Sequence, residues 1–397
     1  MIKLRNIDEL EFNNRRVFYR VDYNVPLDGV RVTDTTRIEA TIQTLGLLRE
    51  RGARIVIASH LGRPKGQPNP KYSLSPVRDV ISRILGFEVM WSADCIGEDA
   101  EQRAEALERG QILLLENLRF HDGEEKNDSD FAASLAKLGE LYVNDAFGAC
   151  HRAHASIVGV PAKLGAENTA AGLLVAKEIE FLQRVTQVRD EDRPFVAILG
   201  GAKIKGKIEP LEAMVRLADS ILIGGGMANT FLAAQGHALG SSLVDLESVE
   251  TARRILEGLG RAEVHLPKDL VVTDSIDSPT RVRTVGVGEE IEAGEMAVDV
   301  GETTIDAYRE SIADAKTIFW NGPMGVFERD EFSAGTRAIA VALAESGAVS
   351  IVGGGESVEA VNQSGASERI SHISTGGGAS LEFIAGEELP GIEILRV

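Results

Sequence analysis

The stretch ARIVIASHLGRPKG, Ala53–Gly66, joins an unbroken apolar run to a turn that carries His60, Arg63 and Lys65. A strand with one wet face alternates apolar and polar side chains. Arg54–Ala58 does not, so it reads as a strand covered on both faces. The same unit, a short β-branched run followed at once by Gly, Asn, Asp or a cation, recurs in RRVFYRVDYN (15–24), QILLLENLRF (111–120) and ELYVNDAFG (140–148). It returns in PFVAILGGAK (194–203), SILIGGGMA (220–228), DLVVTDS (269–275), KTIFWNGPMG (316–325) and VSIVGGGES (349–357). Helical patterns lie between. In TTRIEATIQTLGLLRERG (35–52), Ile38, Ile42, Leu45 and Leu48 share one face and Gly52 is a C-terminal stop. SLSPVRDVISRIL (73–85) offers Ser75 as N-cap and Pro76 in the first turn. Strands alternating with such helices predict parallel sheets of βαβ units, with ligands beyond the carboxyl ends of the strands. Every quoted turn falls there.

The bulk properties set the class. A chain of 397 residues predicts two or three domains. Hydrophobic residues at 44% and charged residues at 26% are those of an ordinary globular protein. A net charge of -19 and only 5% aromatics argue against nucleic acid as partner. No apolar stretch reaches the ~20 residues of a membrane span, and MIKLRNIDELEF lacks the apolar core of a signal peptide. Cys95 and Cys150 make no disulfide framework and show no metal-ligand spacing, so a reducing cytoplasm is expected. Thirty arginines against twelve lysines in an acidic chain fit a high-salt cytoplasm and a merely acidic enzyme equally well.

The two halves differ in chemistry. Strand ends before residue 160 carry polar and charged side chains: Arg20, Asp22, Asn24, His60, Arg63, Arg119 and Arg152. Strand ends after residue 195 carry glycines: Gly200–Gly201, Gly224–Gly226, Gly353–Gly355 and Gly376–Gly378. The first set suits a compact anion held by side chains; the second lets backbone amides approach phosphates. Taken singly, RVDYNVP is equally an Asx turn, the arginines surface ion pairs and the glycines ordinary turns. Arg37 opens its helix, where the macrodipole disfavours a cation by ~0.3–1 kcal/mol, which favours a site role. LGGAKIKGKIEPLEAM reads as a strand–loop–helix phosphate cradle with Lys203 and Lys207 on one helical face. It is no Walker A sequence, and ILIGGGMANTF lacks the Gly-x-Gly-x-x-Gly spacing of a dinucleotide site. His121, His151 and His154 read as structural rather than metal ligands, and Cys150 as a small buried apolar group. AAGLLVAKEIEFLQRV, from Ala170, reads as a helix joining two lobes.

In order along the chain, RVDYNVP, SHLGRPKG, LLENLRFHDGEE, VNDAFGACHRAHAS, ILGGAKIKGKI, DVGETT, WNGPMGVFE, VGGGES and STGGGASLEF resemble the phosphoglycerate kinase family. The resemblance implies an α/β protein with two doubly wound parallel-sheet (Rossmann-like) lobes joined by a helix hinge. Its boundaries would be 1–168 for the N-lobe, 169–185 for the interlobe helix, 186–382 for the C-lobe and 383–397 for a segment returning to the N-lobe. The N-lobe would bind 3-phosphoglycerate or 1,3-bisphosphoglycerate through Asp22, Asn24, Arg37, His60, Arg63, Arg119 and Arg152. The C-lobe would bind ATP or ADP through Lys207, Gly225, Gly226, Pro323, Glu328, Gly354, Gly355, Glu356 and Ser357. Arg37, Lys203, Gly376 and Gly377 would act on the migrating phosphoryl group, and Glu356 would meet Mg2+. A cytoplasmic monomer without nucleic-acid or membrane partners is the accompanying expectation. Glu356–Ser357 stands where many relatives have Asp-Thr, which leaves a catalytically impaired nucleotide binder on the same scaffold as the alternative. Lys205–Gly206 replaces a usual small residue and aspartate, and Tyr23 a more typical Phe.

Overall fold

The computed structural model describes residues 2–258 and 260–397 and divides into two compact units. One holds the chain up to Glu180 together with Glu388–Val397; the other is Phe181–Glu387.

The first unit is built on a six-stranded parallel sheet ordered Met90–Trp91, Ile112–Leu114, Arg54–Ala58, Arg16–Val21, Leu141–Asp145 and Thr169–Ala171. Its central strands are apolar throughout because both faces are packed: Val17, Phe18, Ile55, Val56, Leu141 and Tyr142 are all fully buried. Three of the four longest runs in this half of the sequence form the centre, Arg54–Ala58, Arg16–Val21 and Leu141–Asp145. The edge strands Met90–Trp91 and Thr169–Ala171 are two and three residues long and leave no period to read. The C-terminal residues belong to this unit through backbone bonds, Gly391 N to Cys150 O at 2.9 Å and Arg5 N to Leu395 O at 2.9 Å.

The helix expected over 35–52 is two pieces, Thr36–Glu39 and Ile42–Glu50. Thr41 breaks it: its hydroxyl bonds back to Ile38 O at 2.8 Å and meets Tyr23 Oη at 2.8 Å, holding the chain in a tight turn. Ile38, Leu45 and Leu48 are buried as the period requires, and Gly52 lies at φ +76 just past the end. Helix Ser75–Leu85 starts at Ser75 rather than being capped by it; Ser73 Oγ and the Glu116 carboxylate take the nearby amides of Ser75 and Leu74.

The joining helix runs Leu173–Thr186, three residues later than the sequence suggests. Its start is fixed by Asp145, whose Oδ1 accepts from Leu174 N at 3.0 Å and Val175 N at 3.1 Å, while Tyr19 Oη donates to Oδ2 at 2.7 Å. A Cβ on Gly172 would lie 2.1 Å from Asp145 Oδ1, so only glycine lets the carboxylate reach the helix end. Burial raises the Asp145 carboxyl to about 6 despite these donors. The folded chain therefore holds a proton that the unfolded chain releases near 3.8. The stability this contributes is full below pH 3.8 and lost as pH rises through about 6. Relative to Asp145→Asn, the chain should lose about 1 kcal/mol of unfolding free energy between pH 5 and 7, read by denaturant titration. A difference that is flat or of opposite sign would remove Asp145 as the source.

The second unit carries its own six-stranded parallel sheet, ordered Glu263–His265, Ser220–Ile223, Phe195–Leu199, Thr317–Asn321, Val349–Gly353 and His372–Ile373. One expectation is corrected. Asp269–Thr273 is not part of a parallel sheet but the centre of an antiparallel one, between Val282–Gly286 and Met296–Val300. Its apolar run is explained by packing of Leu270 and Val272 with Leu232, Leu239 and Val285 in a separate small core. A continuous apolar run reports burial, not strand direction.

Candidate functional site

In the first unit, four strand ends converge. Arg16–Val21 leads to Asp22 and Asn24, Arg54–Ala58 to His60, Ile112–Leu114 to Arg119, and Leu141–Asp145 to the loop of Arg152. Arg37 pairs with Asp22 Oδ2, and His60 Nε2 lies 3.8 Å from Asp22 Oδ1. Asn24 Oδ1 accepts from Gly62 N at 2.8 Å, and Arg119 Nη1 donates to Gly62 O at 2.8 Å, so both ends of one peptide turn are pinned. Arg63 is exposed on the same turn. Arg152 is exposed too, its Nε 2.9 Å from His151 Nε2.

Beneath these groups lies a buried layer formed by Arg20, Glu124 and Ser156. Arg20 is fully buried, with Nε on Ser156 Oγ at 2.7 Å and Nη2 at 3.9 Å from the equally buried Glu124. Glu124 in turn accepts from Ser156 Oγ at 2.6 Å and Ser156 N at 3.0 Å. Arg20 Nη2 also reaches His60 Nδ1 at 3.3 Å. An arginine only donates, so His60 Nδ1 accepts and the imidazole proton sits on Nε2, facing Asp22 and the outside. A cation so deep in an acidic chain was visible as Arg20 at a strand end; its tie to Glu124, 104 positions on, was not.

The electrostatics follow from crowding of guanidinium groups. Burial, with Arg119, Arg20 and Arg37, drives the His60 imidazole well below its usual value against the pull of Asp22, so it is neutral. Burial pushes the Asp22 carboxyl up, but the charges of Arg37 and Arg20 and the Asn24 amide act against it and the net shift is downward. Burial lowers Arg119, and Arg20 and Arg152 add to this while Glu125 opposes. Burial and the same cations bring His154 down to about 3. The cluster is a pocket of fixed positive charge with hydrogen-bond donors, suited to an anion.

In the second unit, the glycine loops interlock by backbone. Gly201 N donates to Pro323 O at 2.9 Å, Gly225 N to Met324 O at 2.8 Å, and Met227 N to Gly201 O at 2.9 Å. They enclose a cavity of about 250 Å³ whose lining includes Gly225, Gly226, Pro323, Glu328 and Glu356. Lys207 is half-buried, with Nζ 3.2 Å from Asn321 Oδ1 and 3.3 Å from Gly200 O. Burial lowers the Lys207 ammonium while the charge of Glu356 opposes the shift. Lys203 is exposed on the loop between Leu199 and Ile208.

Two readings change here. Lys203 and Lys207 do not share a helical face, because the helix spans only Ile208–Leu217; Gly201 at φ +100 and Gly206 at φ +82 keep the preceding segment out of helical geometry. Ser357 is buried, its Oγ accepting from Gly322 N at 2.6 Å, so it braces the turn after Asn321. Gly354 and Gly355 open helix Gly355–Gln363, and Gly377 precedes helix Gly378–Ala385. The Gly376 amide is engaged by Ser374 Oγ at 3.2 Å.

Asp299, on the wall of the cavity, was carried by the quoted motif DVGETT but given no role. Its Oδ2 accepts from Gly335 N at 2.8 Å and its Oδ1 from Val300 N at 2.9 Å, and burial lifts it to about 7.

The chain matches the family described as phosphoglycerate kinase over residues 7–387. It is 51% identical over 400 residues to a phosphoglycerate kinase of Koribacter versatilis, covering 98% of each chain. It is 50% identical over 391 residues to that of Rubrobacter xylanophilus, again covering 98% of each. The solved phosphoglycerate kinase of Coxiella burnetii superposes with a TM-score of 0.87 at 38% identity, over 99% of both chains. That of Pyrococcus horikoshii gives 0.87 at 33% identity, over 99% of this chain and 98% of the other. By fold and by sequence over nearly its whole length, the chain belongs to the phosphoglycerate kinase family.

Proposed function

We propose that the chain catalyses reversible in-line phosphoryl transfer between 1,3-bisphosphoglycerate and ADP, giving 3-phosphoglycerate and ATP. The observation that carries the reading is the convergence of Asp22, Arg37 and Arg119 around His60 at the strand ends of the first unit. In the proposal these residues, with Asn24, Arg63 and Arg152, hold the phosphorylated acid. Lys207 contacts the nucleotide phosphates, and the cavity of Gly225, Gly226, Pro323 and Glu328 takes the nucleoside.

The acceptor in the ATP-consuming direction is a carboxylate, already deprotonated at neutral pH. No general base is needed, and a His60 held neutral with its Nδ1 occupied suits a binding role better than proton abstraction. What remains is repulsion between two polyanions and the charge on the PO3 group in flight. Positioning and electrostatic stabilisation answer both, with no covalent enzyme intermediate. Arg37, Lys203 and the backbone at Gly376 and Gly377 are assigned to the equatorial oxygens of that group.

Glu356 fits a magnesium ligand: it is exposed on the cavity wall and offers a hard carboxylate oxygen. Bound there with the nucleotide, Mg2+ would neutralise phosphate charge. Hinge closure, with exclusion of water that would hydrolyse the acyl phosphate, belongs to the proposal because the two substrates are assigned to different units. A cytoplasmic monomer is likewise proposed; among the described residues no helix is long and apolar enough to cross a membrane.

A coupled assay with ADP and 1,3-bisphosphoglycerate tests the reading. ATP formation should require both substrates and fall to background when Mg2+ is chelated. Absence of ATP formation in the complete mixture overturns the proposed activity, and full rates without Mg2+ overturn the metal assignment.

A further inference from the structure

Asp94 and Cys95 follow the edge strand Met90–Trp91, and His121 lies between the turn Leu118–Phe120 and helix Asp122–Glu125. One donor atom from each, a carboxylate oxygen, the Cys95 sulfur and an imidazole nitrogen, all fall within 4.8 Å of one another. We propose that these three side chains form a binding site for a divalent ion of the Zn2+ class, separate from the nucleotide's metal.

The donors are held in place by the fold. The His121 ring stacks on Phe131 with centroids 5.3 Å apart, and its Nε2 lies 2.6 Å from Asp94 Oδ1. Asp94 Oδ1 also accepts from Cys95 N at 2.6 Å, and Ser92 Oγ donates to Asp94 O at 2.7 Å, which fixes the loop that presents both ligands. Tetrahedral Zn2+ with bonds of ~2.0–2.3 Å sets its donors roughly 3.3–3.7 Å apart. The Asp94–His121 pair therefore opens by about 1 Å on binding, and the sulfur closes in.

The chemistry of the set decides the ion. A thiolate, an imidazole and one carboxylate favour Zn2+ or Co2+ over Mg2+, which prefers oxygen and water. Cys95 is fully buried and forms the inner wall, whereas the side chains of His121 and Asp94 are 30% and 54% exposed. Solvent thus reaches the fourth position, giving three protein ligands and a water. Binding breaks the Cys95 S–H bond and forms S–M, and the proton passes to solvent. Neither cysteine is in a motif with the other, and His121 is 26 residues from Cys95, so spacing could not reveal the site.

The test uses the full chain without an affinity tag, washed with chelator and titrated with Co2+. One ion per chain is expected, with a thiolate-to-cobalt charge-transfer band in the near ultraviolet and the intense visible bands of a four-coordinate ion. Zn2+ should displace it and Mg2+ should not. Cys95→Ser should lose the charge-transfer band, and His121→Asn should weaken Co2+ binding by at least about tenfold, the loss that even outer-layer changes produce. Both variants should keep the parent far-ultraviolet circular dichroism and phosphotransfer rate. Should Cys95→Ser misfold, the partly exposed His121→Asn still carries the test. No thiolate band, a band that persists in Cys95→Ser, affinity unchanged in His121→Asn, or equal displacement by Mg2+ overturns the proposal.

Discussion

Replacing Arg37 by alanine is expected to lower turnover by about 10²–10³-fold, the usual cost of losing one donor to a developing charge. Lys203→Ala should do the same. ADP binding, followed by calorimetry, should stay near the parent value in Arg37→Ala, because Arg37 stands in the first unit and the nucleotide cavity in the second. Arg37 has a second duty. It pairs with Asp22, so its loss also removes a cation that holds that carboxyl down, and the KM for the phosphorylated acid should rise. Arg37→Lys keeps the charge and should recover part of both effects, though a lysine cannot reproduce the guanidinium fork. Lys203 is exposed, so its removal should leave stability untouched and act on kcat alone. Near-parent turnover in both alanine variants would defeat the roles given to them.

Gly200→Ala should be among the most damaging single methyl additions in the second unit. A Cβ there would stand 2.1 Å from Pro323 O and 2.8 Å from Gly322 O, and neither backbone oxygen can turn away as a side chain would. The loop after Phe195–Leu199 and the loop after Thr317–Asn321 must then separate. That strains the bonds Gly200 N to Asn321 O, 3.0 Å, and Gly201 N to Pro323 O, 2.9 Å. A cost of about 1–3 kcal/mol in unfolding free energy is expected from overpacking alone. A shift of about 1 Å beside Lys207 should remove about 10² in kcat/KM for the nucleotide. Gly46→Ala is the control. Nothing lies within 4 Å of its Cβ, it sits inside helix Ile42–Glu50, and it should stabilise by roughly 0.5–1 kcal/mol. If Gly200→Ala behaves like Gly46→Ala, the loop contact does not shape the nucleotide cavity.

The sequence by itself determined the class of the fold and which strand ends carry charged side chains or glycines. Uniform apolar runs such as Ile55–Ala58 and Phe195–Leu199 mark segments packed on both faces, and their alternation with helical patterns points to parallel sheets. Motif order gave the family, and single residues at strand ends, Asp22, His60 and Arg119 among them, gave most of the anion cluster. These are local signals, carried by neighbouring residues. What tertiary structure decided is pairing between distant positions: Arg20 with Glu124, Asp145 with the start of helix Leu173–Thr186, and Asp94 with His121. It also decided strand direction at Asp269–Thr273 and the non-helical path from Gly201 to Lys207. The reason is physical. Burial, the direction of a hydrogen bond and the sum of several charges on one imidazole depend on what lies across space, and a linear pattern records only what lies alongside.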